Sequence, residues 1–416
     1  MKILLKKATI IDSKGAYHLK EVDIFIVNGR IQEIGKQLTP QADKVIQKDN
    51  LHLSTGWFDS SVCFGEPGYE ERETLKNGLR TAALSGFTDI ALEPETPTHT
   101  QTQSAVVQLK TYSSIYPTAI HPIAAFTQER AGKQLTEFHD LQTNGAVAFG
   151  DFLQPIENPE LLKTALLYAQ RFNGLILSTP MDKSIGAHGV AHEGNVSTAL
   201  GLTGIPSLNE TLQIQRDIAI LTYTGGRLHI PCISSAQSVA LIRKAKKEGL
   251  KISCSVALAN LTYTEEALKG FDTRFKLLPP LRHQNDCDAL KEGLLDGTID
   301  MVSSHHQPLN SELKQVEFEH AHTGTIGLEA MFGILNTLFP LDKTIHLLTQ
   351  GRSIFGLQSP IIAQGEEAHF TLFNPDSSTT LGPEHLFSSS KNCAFIGHAV
   401  QGKVYGTIRG DKFLFS

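Results

Sequence analysis

GWFDSSVCFGEPG, residues 56–68, is the hinge of this sequence. On its N-terminal side the pattern is that of short strands; beyond it, strand and helix patterns alternate. From Lys2 to about Leu53, ILLKKATII and VDIFIVNGRIQEIG are strand-like runs separated by the turn signals Ser13-Lys14-Gly15 and Asn28-Gly29. Past residue 55, FTDIAL, AIHPIAAF, GAVAFG, GLILST, GRLHIPCIS, LKISCSV and IDMVSS are apolar strand candidates, spaced by helical patterns such as ERETLKNGLRTAALSG and PELLKTALLYAQRF. Such alternation specifies βαβ units and a parallel sheet. Seven or eight units in about 300 residues suit a closed α/β barrel, (β/α)8, better than an open sheet, and no Gly-rich dinucleotide fingerprint follows the first strand. The far end returns to short β-type runs, HFTLFNP, NCAFIGHAV, GKVYGTIRG and DKFLFS, while SSTTLGP (Ser377 to Pro383) and FSSSKN (Phe387 to Asn392) read as ordinary loops. The two ends, residues 1–54 and 358–416, are expected to form one small β-sandwich domain beside a barrel of residues 55–357.

Composition excludes several classes of function. A chain of 416 residues with 40% hydrophobic and 19% charged residues buries a large core and is ordinary for a soluble globular protein. The formal net charge of -6 supplies no basic field for nucleic acid or an anionic membrane surface, and no apolar run is long enough to span a bilayer. Neither is an expected partner. The five cysteines, Cys63, Cys232, Cys254, Cys287 and Cys393, form no CxxC pair and are odd in number, which argues against a secreted disulfide framework and for a reducing cytoplasm. The opening MKILLKKATIIDSKG lacks the uninterrupted apolar core of a signal peptide.

A series of ordered motifs runs along the chain. After GWFDSSVCFGEPG come KNGLRTAALSGFT (Lys76 to Thr88), GAVAFGD (Gly145 to Asp151), HEGNVSTALGLTGIPSLNE (His192 to Glu210) and RDIAILTYTGGRLHI (Arg216 to Ile230). LPPLR (Leu278 to Arg282), LLDGTIDMVSSHH (Leu294 to His306), TIGLEA (Thr325 to Ala330) and SIFGL (Ser353 to Leu357) complete it. This series resembles the dihydroorotases of the amidohydrolase superfamily over nearly the whole chain. The resemblance implies an amidohydrolase-type barrel with a small β domain built from both ends, the same architecture that the alternation of patterns suggests.

What the resemblance implies for chemistry differs from what it implies for fold. The family pattern for the first motif is Gly-Phe-Ile-Asp-x-His-x-His-x-Arg-Glu-Pro-Gly. Asp59, Glu66, Pro67 and Gly68 match it, but Ser61 and Cys63 stand at the two metal histidines and Gly65 at the substrate-gripping arginine. The fifth-strand metal histidine falls on Thr179, the sixth-strand one on Cys232, and the catalytic aspartate of the eighth strand on His305, with His306 retained beside it. Asp151 alone keeps a family-like metal residue, a bridging carboxylate. Two substrate-binding asparagines fall on Glu95, whose charge would repel an acidic pyrimidine precursor, and on Leu278. A catalytic metal needs imidazoles and carboxylates converging on it, with a position open for water, and an arginine grips a carboxylate with a fork that no other side chain reproduces.

The expectation is therefore a dihydroorotase-like protein without catalytic residues, substrate-binding residues or a metal centre, kept as a structural or regulatory subunit. Inactive homologues in this family hold aspartate transcarbamoylase in a larger assembly, so that enzyme is the candidate partner; a homo-oligomer is also expected from the family. The alternative is an active dihydroorotase, or another cyclic-amide hydrolase, with zinc on a rebuilt set of Cys63, Asp151, Cys232 and His305. In that case metal-bound hydroxide attacks the ring carbonyl, and His305 or His306 acts as the acid. Other histidines carry blander readings. His188 and His192 lie in the Gly-rich GAHGVAHEG, a loop rather than a helix face, and His320-Ala321-His322 sits after the eighth strand beside Glu317 and Glu319, a solvated segment. No GxSxG elbow supports a serine nucleophile. Lys183, Arg227 and the Arg243–Lys247 cluster read as exposed charges without aromatic interleaving.

Overall fold

A computed structural model describes residues 1–416. The N-terminal strands are β1 (Lys2–Ile11), β2 (Glu21–Val27), β3 (Arg30–Gly35), β4 (Lys44–Ile46) and β5 (His52–Thr55). The alternating region supplies β6 (Trp57–Val62), β7 (Phe87–Leu92), β8 (Ala119–Ala124), β9 (Ala148–Phe149), β10 (Leu175–Leu177), the short pair β11 (Ala191–His192) and β12 (Gly204–Ile205), then β13 (Arg227–Ile230), β14 (Ile252–Ala257) and β15 (Met301–Ser303). The C-terminal strands are β16 (His369–Thr380), β17 (Ala399–Arg409) and β18 (Lys412–Phe415). Crossovers carry α1 (Leu75–Leu84), α2 (Gln103–Ser113), α3 (Phe138–Thr143), α4 (Pro159–Ala169), α5 (Asn195–Leu200), α6 (Ser207–Thr224), α7 (Ala236–Lys247), α8 (Leu258–Thr262) and α9 (Gln284–Leu295); α10 (Leu328–Leu338) and α11 (Leu341–Thr349) follow the last barrel strand.

All seven strand candidates of the alternating region contain a strand, and with β6 they pair in the order β6-β7-β8-β9-β10-β13-β14-β15, all parallel. A parallel bridge between Val62 and His306, with the Cys63 N–H donating to the His306 carbonyl at 2.8 Å, joins the first strand to the end of the last. That closure makes a (β/α)8 barrel. All six residues of β6 and all six of β7 are buried, as expected of parallel strands covered on both faces. A core of 62 buried residues lies mainly between strands and helices, and a smaller cluster drawn from six barrel strands, including Phe58, Ala91, Ile123 and Ala148, packs with Phe355 inside the barrel.

The two chain ends meet in one eight-stranded mixed sheet, ordered β18-β17-β16-β5-β1-β2-β3 with β4 also on β1, around its own core of 17 buried residues. Thr55 pairs with Phe370 in this sheet, so the barrel starts one residue later than the sequence pattern suggests. Three readings of the C-terminal segment need correction. Ser377–Thr380 of SSTTLGP, read as a loop, are the end of β16. NCAFIGHAV is not a strand until Ala399, and Phe387–Asn392 is no ordinary surface loop. Ser388 donates to Glu329, Ser389 to Glu73, and Asn392 to the carbonyls of Gln307 and Gly324. Leu381, Leu386, Cys393 and Phe395 join the barrel core, so this stretch fastens the barrel although it lies in the C-terminal segment. Its serines and asparagine look like loop residues in sequence because polar side chains that bond buried backbone and carboxylates carry the same composition as solvated ones.

Candidate active-site region at the barrel mouth

The C-terminal ends of barrel strands form the mouth, where chemistry in this architecture sits. Three residues at these ends, Phe152 after β9, Cys232 after β13 and His305 after β15, hold left-handed backbone with φ of 53°, 51° and 48°. Non-glycine residues adopt that conformation at a cost, and such strain concentrates where a site frame is held by its surroundings. A narrow cavity of about 40 Å³, with room for about three waters, opens between Ser61, Glu93, Phe152, Thr179, Cys232, Leu278, Arg282 and His305.

Ser61, Thr179, Cys232, His305 and Leu278 thus share one cavity, while Cys63, Asp151, Gly65 and Glu95 do not line it. The two hydroxyls and the Asp151 carboxylate are engaged within the protein. Ser61 Oγ donates to Glu93 Oε1 at 2.8 Å, and the Thr179 hydroxyl donates to the Phe152 carbonyl. Asp151 accepts from the Phe126 N–H at 2.8 Å, the Thr127 N–H at 3.2 Å and the Thr127 hydroxyl. Burial pushes the Asp151 carboxyl up against those donors. Cys63 and Cys232 are buried thiols, both pushed well up by burial and by nearby carboxylates, Glu95 and Glu93 for Cys63 and Glu93 and Asp59 for Cys232, so neither is a ready thiolate. Burial lowers His305 to about 4 and His306 to about 3, leaving both neutral. His306 Nδ1 accepts from the Gly327 N–H at 3.2 Å, at the start of α10.

The arginine position is closed. A Cβ on Gly65 would lie 1.9 Å from the Tyr69 carbonyl oxygen, because the following turn folds back with the Tyr69 N–H donating to the Gly65 carbonyl at 2.7 Å and the Gly65 N–H to the Glu73 carbonyl at 2.9 Å. Asp59, matched to the family, accepts from the Ser303 hydroxyl at 2.9 Å and the Ser304 N–H at 3.0 Å, tying β6 to the end of β15. Cys63, Asp151, Cys232 and His305 do not bring ligand atoms together: the one group of three or more His, Cys, Asp or Glu side chains with ligand atoms within 4.8 Å of one another is His192, Glu265 and His283.

Several residues of this region escaped the sequence reading. Glu93 is buried with Oε2 unpartnered; burial raises it to about 8, helped by Asp59 and Glu95 and opposed by the Ser61 hydrogen bond and Arg130. Glu210, on α6, is fully buried yet held low, since Arg282 and the hydroxyls of Ser234 and Ser238 outweigh the push of burial. Arg282 reaches it at 3.3 Å. Both ends of that pair sit inside motifs quoted above; for Arg282 the signal was a charge closing the apolar run LLPPL, while Glu210 stands among polar residues that give none. His192 is not a loop residue but pairs with Ile205 through β11 and β12, and it is buried. His320 and His322 are exposed. Arg243 donates to Asp296 at 2.7 Å, so that charge is partnered. No helix is long and apolar enough to cross a membrane.

Comparison with known proteins agrees with this architecture. A family model described as dihydro-orotase-like matches residues 52–238. The dihydroorotase of Pelotomaculum thermopropionicum is 36% identical over 99% of this chain and 98% of its own length, and that of Syntrophus aciditrophicus is 34% identical over 100% and 99%. Among solved structures, the L-hydantoinase (dihydropyrimidinase) from Arthrobacter aurescens superposes with a TM-score of 0.85 at 20% identity, covering 100% of this chain and 96% of that one, which is a likeness of fold. With relatives this similar end to end, the chain belongs to the dihydroorotase family.

Proposed function

We propose that this dihydroorotase-family protein does not open cyclic amides and serves pyrimidine biosynthesis as a structural or regulatory partner, with the aspartate transcarbamoylase catalytic chain as the candidate it holds. The observation that carries this reading is the state of the barrel mouth. A pair of catalytic cations needs several imidazoles and free carboxylates around one point. Here the matching positions offer two hydroxyls bonded within the protein, two un-ionised buried thiols, a carboxylate already accepting three hydrogen bonds, and one histidine. This donor set does not fit the metal centre that the family implies. The filled arginine position points the same way: a ring carrying a carboxylate finds no guanidinium there, and Arg282, which lines the cavity, is already paired with Glu210.

The competing reading, zinc on Cys63, Asp151, Cys232 and His305, gains no support from their dispersion, although the dihydroorotase names of the relatives favour that activity. Dihydroorotate hydrolysis and carbamoyl-aspartate cyclisation by the purified protein, with and without added zinc, decide between them. We expect no turnover above background. Turnover abolished by Asp151→Ala rejects the proposal. Co-purification with the transcarbamoylase tests its second half, and a protein that elutes alone and monomeric in the transcarbamoylase's presence counts against it.

A further inference from the structure

Beside the mouth, three side chains converge that lie at none of the family's metal or substrate positions. His192 ends the short strand β11, Glu265 opens the turn that leads from α8, and His283 is the residue before the first turn of α9. Their ligand atoms lie within 4.8 Å of one another. His283 Nδ1 is 2.9 Å from Glu265 Oε1, and the His192 and His283 rings meet edge to face at 4.7 Å. Glu265 is 96% buried by its 4% exposure, and its second oxygen, Oε2, has no hydrogen-bond partner. An ionisable oxygen left bare in the interior is costly unless something compensates it. Gly194 leaves space beside that oxygen: a Cβ there would lie 3.2 Å from Glu265 Oε2 and 3.2 Å from His283 Nε2.

We propose that His192, Glu265 and His283 form a mononuclear divalent-cation site, suited to zinc, on the rim of the barrel and separate from its centre. Two imidazoles and a carboxylate are a zinc donor set with a fourth position left to solvent. His283, 48% exposed, gives that position an entrance. His192 supplies a neutral ring, because burial and the charge of Arg282 lower it to about 4. Nε2 can serve as the ligand nitrogen only with the ring proton on Nδ1; Arg282 Nη1, 3.1 Å from Nδ1, is a donor and cannot take that proton, so in the metal-bound state the Ile205 carbonyl would accept it. The guanidinium itself is neutralised by Glu210, while Glu266 and Asp286 add negative field around the three ligands. A bound ion would pin β11, the Glu265 turn and the start of α9 to one another. It would also fix the residue next to Arg282, which lines the mouth cavity.

The site does not depend on whether the barrel centre hydrolyses anything, so its test has a readout separate from activity. The full chain, stripped with a chelator and dialysed, is titrated with Zn2+ by calorimetry and with Co2+ by visible absorption. The expected result is one equivalent of each, with the intense visible bands of four-coordinate cobalt. His283→Ala and Glu265→Gln each weaken binding at least about tenfold, whereas Cys232→Ser and Asp151→Asn bind like the parent. His283 is half-exposed, so its variant is expected to fold; far-ultraviolet circular dichroism checks this. No binding by the parent at micromolar metal overturns the proposal. So does binding that survives both rim variants, or that is lost in Cys232→Ser or Asp151→Asn instead.

Discussion

Asp89, within β7, and Glu93, the residue after its end, lie four apart, and both are buried carboxylates. Their surroundings set them in opposite states. Asp89, toward the floor of the barrel, bonds His121 at 2.7 Å, Arg352 at 2.6 Å and His369 at 2.9 Å, and these partners hold its carboxyl well below the usual range despite burial. Glu93, at the mouth, has only Ser61 as hydrogen-bond donor and rises to about 8. Burial is common to both; a guanidinium in contact is not. Glu210 supplies the third point: it is also at the mouth, yet Arg282 keeps it low. For these three carboxylates the partners, and not the end of the barrel, set the state; Asp217, raised by burial although Arg216 lies 2.8 Å away, shows that one guanidinium is not always enough.

The largest effect is expected from breaking the paired case. Asp89→Asn leaves Arg352 buried without its counter-charge and should cost about 3–5 kcal/mol, read by urea unfolding. Because the Asp89 carboxyl is lowered in the folded protein, its contribution is present above the unfolded value near about 3.9 and is lost as pH falls through the folded one. The variant should lack that acid-side slope. A stability unchanged by Asp89→Asn would contradict the role given to Arg352. Glu210→Gln tests the same rule at the mouth and should cost about 3 kcal/mol, since Arg282 loses its charge partner while the serine donors around it remain.

Most of the fold was legible before any coordinates. Phe87–Leu92 and Ile252–Ala257 are buried on both faces, so their largely apolar runs announce themselves as parallel strands, whereas Trp57–Val62, equally buried, carries Asp59, Ser60 and Ser61 and is legible only through its motif. The substitutions at Ser61, Cys63, Thr179 and Cys232 were visible because they sit inside motifs. What those residues do instead was not legible. Asp151 keeps its family identity, and only its donors, Phe126 and Thr127 from another strand end, reveal how it is occupied. The rim group was hidden for a similar reason: His192, Glu265 and His283 come from three separate segments, and no spacing rule links them. His320 and His322, two apart, spell a ligand motif and point to solvent. Ligand spacing in sequence informs only when one element carries both residues.

Glu93→Gln sharpens the unpaired case with the opposite sign. A carboxyl raised in the folded protein contributes stability that is fully present below the unfolded value, about 4.3, and is lost as pH rises toward the folded one, about 8. One proton gives a slope of up to about 1.4 kcal/mol per pH unit. Glutamine, neutral at every pH, removes that slope, so at pH 8 the variant should be more stable than the parent by about 1–2 kcal/mol. Parallel pH–stability curves for the two proteins would mean that Glu93 is ionised throughout and compensated by a group other than Ser61.

Ser61→Ala is the smallest and the most specific of these changes. The hydroxyl is the sole hydrogen-bond donor to Glu93, and it opposes the push of burial. Removing it should cost about 0.5–1 kcal/mol at neutral pH, the worth of one hydrogen bond. It should also move the Glu93 transition to higher pH, visible as a displaced bend in the pH–stability curve. In the Glu93→Gln background the same substitution should leave no bend to displace, and the two changes should not add, because the residues are in contact. Additive costs would place Ser61 and Glu93 in independent environments and dissolve the contrast with Asp89, whose state rests on contact with its partners rather than on its depth in the barrel.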